Sequence, residues 1–206
     1  MSIIKTYTPG ENTFLLVWKI TEDVETLNNL LINLTDTQTT SPKHSLHWLA
    51  SRACLTTHFG LDAIIVIKKD IFNKPSMLVN GEKYHLSITH CSNYAAVMFS
   101  KYRNVALDLE KVDDRITRVA HKFINGAEAE MLEDSKNLIH QQTLIWSAKE
   151  TLYKFYGVKE LDFKMHMTIF VNQVQLRGCL HKYNTPLFYD INDDLIDGFI
   201  VTYMHE

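Results

Sequence analysis

The chain has 206 residues, 46% of them apolar and 22% charged, with a net charge of −3 at pH 7. That length allows one large domain or two packed halves with real cores, and the composition is ordinary for a globular protein. The charge balance excludes a partner held by overall basicity, so no nucleic acid and no membrane is an expected partner, and any anion site must be built locally.

The three cysteines, Cys54, Cys91 and Cys179, are far apart and lack CxxC spacing. They read as reduced thiols, not as a disulfide framework or a zinc site, and a cytoplasmic protein is expected. The first residues show no basic-then-apolar-then-small pattern, so no signal peptide is expected. Apolar runs such as residues 63–67 are far too short to span a bilayer.

In chain order, residues 14–20 read as a strand, and leucines 27, 30, 31 and 34 give residues 22–34 a helical spacing. Residues 35–41 read as a polar loop. Ser41 and Pro42 then suit the cap and first position of a helix running to residue 59, with Leu46, Leu49, Ala50 and Ala53 as its apolar stripe. Arg52 lies off that stripe. Lys43 and His44 fall in the first turn, where positive charge opposes the helix dipole.

Residues 63–69 read as a strand, Asn73-Lys74-Pro75 as a turn, and Asn80-Gly81 as a hairpin signal. Residues 84–89 alternate, with Leu86 and Ile88 on one face and His85, Ser87 and Thr89 on the other. Residues 94–99 and 103–110 follow as strands. Residues 116–123 read as a helix, and Asn125 to Glu128 resembles a capping box. A long helix begins near Asn137 and is ended by Gly157, which takes the left-handed conformation without strain. Residues 165–204 read as strands broken at Arg177-Gly178, at 184–186 and by an acidic turn over 192–197.

Each half thus holds strand, helices, then strands. The predicted fold is α+β: two similar, pseudo-duplicated subdomains over residues 1–100 and 101–206, each an antiparallel-type sheet with helices, with the active site at their interface.

Two stretches carry the chemistry. In residues 105–110, period two places Ala106, Asp108 and Glu110 on one face, the two carboxylates roughly 7 Å apart. Like charges that close favour a cation between them, and carboxylates with spare coordination positions suit Mg²⁺. In the long helix, Ile145, Ala148, Leu152, Phe155 and Tyr156 form the core stripe. Trp146, Glu150 and Lys154 lie four apart on the far side, with Lys149 at the border. Taken alone, that far side reads as a solvated face with a weak Glu–Lys pair. Taken with Asp108 and Glu110, Glu150 becomes a third carboxylate and the lysines become flanking cations, the parts needed for phosphoryl transfer.

The spacing of Asp108 and Glu110 from Trp146, Lys149, Glu150 and Lys154 resembles the paired signature G-x-D-x-E … W-x-x-K-E-x-x-x-K of 4′-phosphopantetheinyl transferases. The two-halved layout is similar to the larger, Sfp-type branch. Upstream, Asn73-Lys74-Pro75 stands where the family has G-K-P, residues 86–91 where it has an S-x-S-H-S-like strand end, and Arg52 where it has an early arginine. Residues 123–128 resemble its F-x-S/N-x-x-E segment.

The resemblance implies transfer of 4′-phosphopantetheine from coenzyme A to a serine of an apo acyl or peptidyl carrier protein, releasing 3′,5′-ADP. It implies Asp108, Glu110 and Glu150 as ligands of Mg²⁺, or of Mn²⁺ in its place. It implies Lys149 and Lys154 as phosphate contacts; the candidates for the base are Glu150 or a metal-bound water, with Lys149 behind them. Arg52 and His90, with Lys43, would take the 3′-phosphate; Lys74, Pro75, Ser87 and Thr89 would border the adenosine. The coenzyme A 3′-phosphate and adenosine side would fall in residues 1–100, the metal and pyrophosphate side in 101–206. Internal duplication implies a monomer.

The sequence departs from the family pattern at Ala106, Asn73, Thr89 and Cys91, and none of these removes an expected metal ligand. The carrier-docking surface has no signature; the basic residues near 115–122 are its candidate. Two other functions fit the same residues: a non-catalytic module that binds carrier protein or coenzyme A, and an Mg²⁺-dependent phosphohydrolase.

Overall fold

The computed structural model describes residues 3–36, 45–133, 135–172, 175–182 and 185–206. Among these described residues, two sheets and five α-helices give an α+β organisation. The chain divides into two compact units, Met1–Leu107 with His205–Glu206, and Asp108–Met204.

The first unit holds β1 (Ile3–Gly10), β2 (Thr13–Lys19), α1 (Val24–Asn29), β3 (Leu34–Asp36) and α2 (Leu46–Phe59). Strands β4 (Ile65–Lys69), β5 (Pro75–Val79), β6 (Glu82–Cys91) and β7 (Tyr94–Ser100) complete it. The sheet order is β1-β2-β7-β6-β5-β4-β3, with β3 and β4 parallel. Alternation puts Leu16 and Trp18 of β2 and Val97 and Phe99 of β7 into one core with Leu49, Ala50, Ala53 and Cys54 of α2. His58 of α2 stands among rings, its centroid 4.7 Å from that of Phe14 and 4.9 Å from that of Phe99.

Two expectations for this unit are corrected. The leucine-spaced helix over 22–34 shortens to α1, because Leu34 leaves the helical pattern to pair with Ile65. Sheet pairing outweighs a few tenths of a kcal/mol of helix propensity. The helix expected from Ser41 has Ser45 as its cap, with Oγ accepting from Trp48 N at 3.2 Å. Ser41, Pro42, Lys43 and His44 lie outside the described residues.

β8 (Val105–Lys111) leads into the second unit, which continues with α3 (Ile116–Val119), a 3₁₀ turn, α4 (Gly126–Leu132) and α5 (Leu138–Tyr156). Strands β9 (Met167–Val171), β10 (Leu176–Leu180), β11 (Leu187–Ile196) and β12 (Phe199–His205) follow. The sheet order is β8-β12-β11-β10-β9. The capping box at Asn125 and Glu128 is formed in both directions. Gly157 closes α5 at φ 75°, its N–H bonded to Tyr153 O.

Arg177-Gly178 is not a break, since both residues pair within β10. Gly178 is there for close packing: a Cβ on it would lie 3.1 Å from Leu152 of α5 and 3.1 Å from Ile191. The acidic stretch likewise runs on in β11 to Ile196, and the turn is Asp197-Gly198, at φ 50° and 81°. Residue 184, in the second of the three expected breaks, lies outside the described residues. The helix expected over 116–123 is split between α3 and the 3₁₀ turn Ala120–Lys122.

Candidate active site

The pleat of β8 buries Leu107 and Leu109 and sends Asp108 and Glu110 to the other face. Asp108 is 3% exposed. What meets these carboxylates is the far stripe of α5. Lys154 Nζ lies 2.6 Å from Asp108 Oδ1, and Trp146 Nε1 donates to Glu110 Oε1 at 2.9 Å. The stripe that reads as solvated when α5 is taken alone is therefore a half-buried, charged face.

Glu150, midway between Trp146 and Lys154, feels the same charges. Burial, then Asp108, with Glu110 adding a little, push its carboxyl up to about 7, against the pull of Lys154. Burial, followed by repulsion from Asp108, is what the ionised form of Glu150 must overcome here.

Lys149 is elsewhere. Its side chain is fully buried, and its Nζ donates to Phe123 O at 2.6 Å, Glu128 Oε2 at 2.7 Å and Phe163 O at 2.8 Å. An ammonium has three protons, and all three are used. The expected phosphate contact and the fallback role as base would both need this ammonium released from its three partners. The border position on the helical wheel leans to the core side, where the carboxylate of Glu128 satisfies a buried cation.

A divalent ion asks for hard oxygen donors, and Asp108, Glu110 and Glu150 supply them. As they stand, no three acidic, histidine or cysteine side chains among the described residues are grouped closely enough to hold one. At Asp108 the place of a cation is taken by Lys154, 2.6 Å from Oδ1. The donor chemistry and the mutual repulsion fit a cation; the grip on it is not closed.

In the first unit, Arg52, Pro75 and His90 line one cavity of about 340 Å³ together with Trp48, Lys69 and Asn73. Arg52 is buried, with Nη2 2.7 Å from Asp36 Oδ2 and the guanidinium 4.5 Å above the Trp48 ring. Burial pulls its pKa down and Asp36 pulls it back. His90 is stacked on His47, ring centroids 4.6 Å apart. The other expected residues have contacts within the first unit. Lys74 Nζ donates to Asn104 Oδ1 at 2.8 Å, Ser87 Oγ accepts from Leu107 N at 3.1 Å, and Thr89 is buried.

Trp48, Lys69, His47 and Asp36 escaped sequence reasoning. Trp48 stands four residues before Arg52 on one helix face, a signal that could have been used. Asp36 comes from another strand, and nothing local announces its pairing.

Residues 104–203 match the family model of the 4′-phosphopantetheinyl transferase superfamily. The matched segment contains Asp108, Glu110, Trp146, Lys149, Glu150 and Lys154, and Arg52, Lys74, Pro75, Ser87, Thr89 and His90 lie outside it. The chain is also similar to the crystal structure of Thermotoga maritima holo-(acyl-carrier-protein) synthase, at 17% identity and a TM-score of 0.42, over 49% of this chain and 61% of that one. This chain therefore spans less than two thirds of that synthase. No curated protein is significantly similar in sequence.

Proposed function

We propose that the protein moves 4′-phosphopantetheine from coenzyme A to a serine of an apo acyl or peptidyl carrier protein, using Mg²⁺ or Mn²⁺ and releasing 3′,5′-ADP. The main support is the meeting of Trp146, Glu150 and Lys154 of α5 with Asp108 and Glu110 of β8, inside the superfamily segment.

Asp108, Glu110 and Glu150 would hold the ion, which when bound would neutralise diphosphate oxygens and ease departure of the nucleotide. In the reaction, the serine oxygen bonds to the phosphorus that carries pantetheine. The bond from that phosphorus to the bridging oxygen breaks, and that oxygen leaves on 3′,5′-ADP. Glu150, from the same face of α5 as Lys154, is the candidate to take the serine proton. Lys154 supplies positive charge to the phosphoryl oxygens as charge builds there. In the first unit, the cavity at Arg52, Pro75 and His90 is the candidate site for the 3′-phosphate and adenosine. Among the described residues no helix is long and apolar enough to cross a membrane, and we propose a monomer working in the cytoplasm.

The test is intact-mass measurement of an apo carrier protein incubated with coenzyme A, Mg²⁺ and the full chain. Gain of one phosphopantetheine, lost with Asp108→Ala, is the expected outcome. Cleavage of coenzyme A with no gain on the carrier would make the protein a hydrolase, and binding with neither would make it a non-catalytic module.

A further inference from the structure

We infer that Lys149 and Glu128 are positioning residues that set the orientation of Glu110, acting through Phe123, Phe163 and Trp146. The inference rests on the proposed reading of Glu110 as a metal carboxylate.

The Lys149 ammonium is bonded to the backbone carbonyls of two particular residues, Phe123 and Phe163. The rings of those same two residues grip Trp146, with centroids 5.1 Å and 5.3 Å from it. Trp146 in turn donates its indole N–H to Glu110 Oε1. One buried cation thus ties down both jaws of an aromatic clamp, and the clamp aims one hydrogen bond at one carboxylate.

Glu128 fixes the cation from the other side. Besides Lys149, its Oε2 accepts from Asn125 N at 2.9 Å, and its Oε1 accepts from Ile169 N at 2.7 Å. The carboxylate therefore links the cap of α4, strand β9 and helix α5. Both members of the pair are fully buried, which leaves the ammonium no route to a substrate phosphate. A lysine spent on phosphate would be expected at the surface of the site with donors to spare. Outer partners that orient ligating carboxylates are a general feature of metal sites, and their loss costs about 10–100-fold in metal affinity.

The experiment uses the full chain carrying Lys149→Met, Glu128→Gln or Phe163→Leu. The readout is the Trp146 indole N–H resonance, assigned with Trp146→Phe and recorded during Mg²⁺ titration without coenzyme A or carrier. Each variant should move that resonance, speed its hydrogen exchange and raise half-saturating Mg²⁺ by about 10-fold or more, while the KM for coenzyme A stays within about twofold. An unmoved indole with a tenfold rise in KM for coenzyme A would return Lys149 to the phosphate. An unmoved indole with only a loss of stability would leave the pair purely structural. If Lys149→Met and Glu128→Gln do not fold, Phe163→Leu decides, since it leaves the ion pair intact. Absence of transfer by the unaltered chain would overturn the proposed function and leave the indole result standing.

Discussion

Lys154 places its ammonium 2.6 Å from Asp108 Oδ1, a carboxylate almost closed off from solvent, while the lysine itself stays about a quarter exposed. The lysine acts as a counter-ion on a stem. It holds the carboxylate charge in the absence of any other cation, and it can be approached from outside.

Replacing Lys154 by Met should therefore destabilise the metal-free chain by about 2 kcal/mol, since it strands a buried carboxylate. Thermal melts should show Mg²⁺ restoring more stability to this variant than it adds to the wild type. Equal stabilisation by Mg²⁺ in both would show that the ion does not act at Asp108.

The carboxyl of Glu150 is pushed up to about 7 from an ordinary 4.5. Below the lower value both folded and unfolded chains hold the proton, and the site is neutral in stability. As pH rises between the two, the unfolded chain ionises first and stability falls. Glu150→Gln should thus be more stable than wild type near pH 8 without metal, by about 1–3 kcal/mol, and equal to it below the lower value. Urea unfolding across that range, with chelator present, measures the difference.

A Cβ on Gly178 would lie 3.1 Å from both Leu152 and Ile191, so those side chains would have to give way to admit it. Valine there should overpack the contact of α5 with β10 and cost about 1–3 kcal/mol. Chemical denaturation would register it. A neutral effect would mean that α5 does not press on the sheet as closely as described.

Arg52 and Asp36 form a buried pair. Asp36→Asn leaves a buried guanidinium without its counter-charge and should cost about 3 kcal/mol, whereas Asp36→Asn with Arg52→Met should recover most of that loss. The double variant separates stability from binding. If the cavity at Arg52 takes the 3′-phosphate, it should fold well and bind 3′,5′-ADP more weakly than wild type by isothermal calorimetry.

Much of the site was legible in the chain because its parts are local. Period two aligned Asp108 with Glu110, and a spacing of four aligned Trp146, Glu150 and Lys154. Asn125 with Glu128, and Gly157 after a long apolar stripe, marked the ends of α4 and α5 in the same way. The errors arose where a residue's partner is distant in sequence. Leu34 reads as helix until Ile65 pairs with it, and Gly178 reads as a break until Leu152 and Ile191 press against it.

By itself, the sequence determined which side chains share a helix face or a strand face, because those periods follow from backbone geometry alone. Only the tertiary structure decided what each face meets. It turned the polar stripe of α5 onto Asp108 and Glu110, and it drew Lys149 inward to Glu128. Those outcomes depend on burial and on charges brought together from positions tens of residues apart, and no local pattern encodes them.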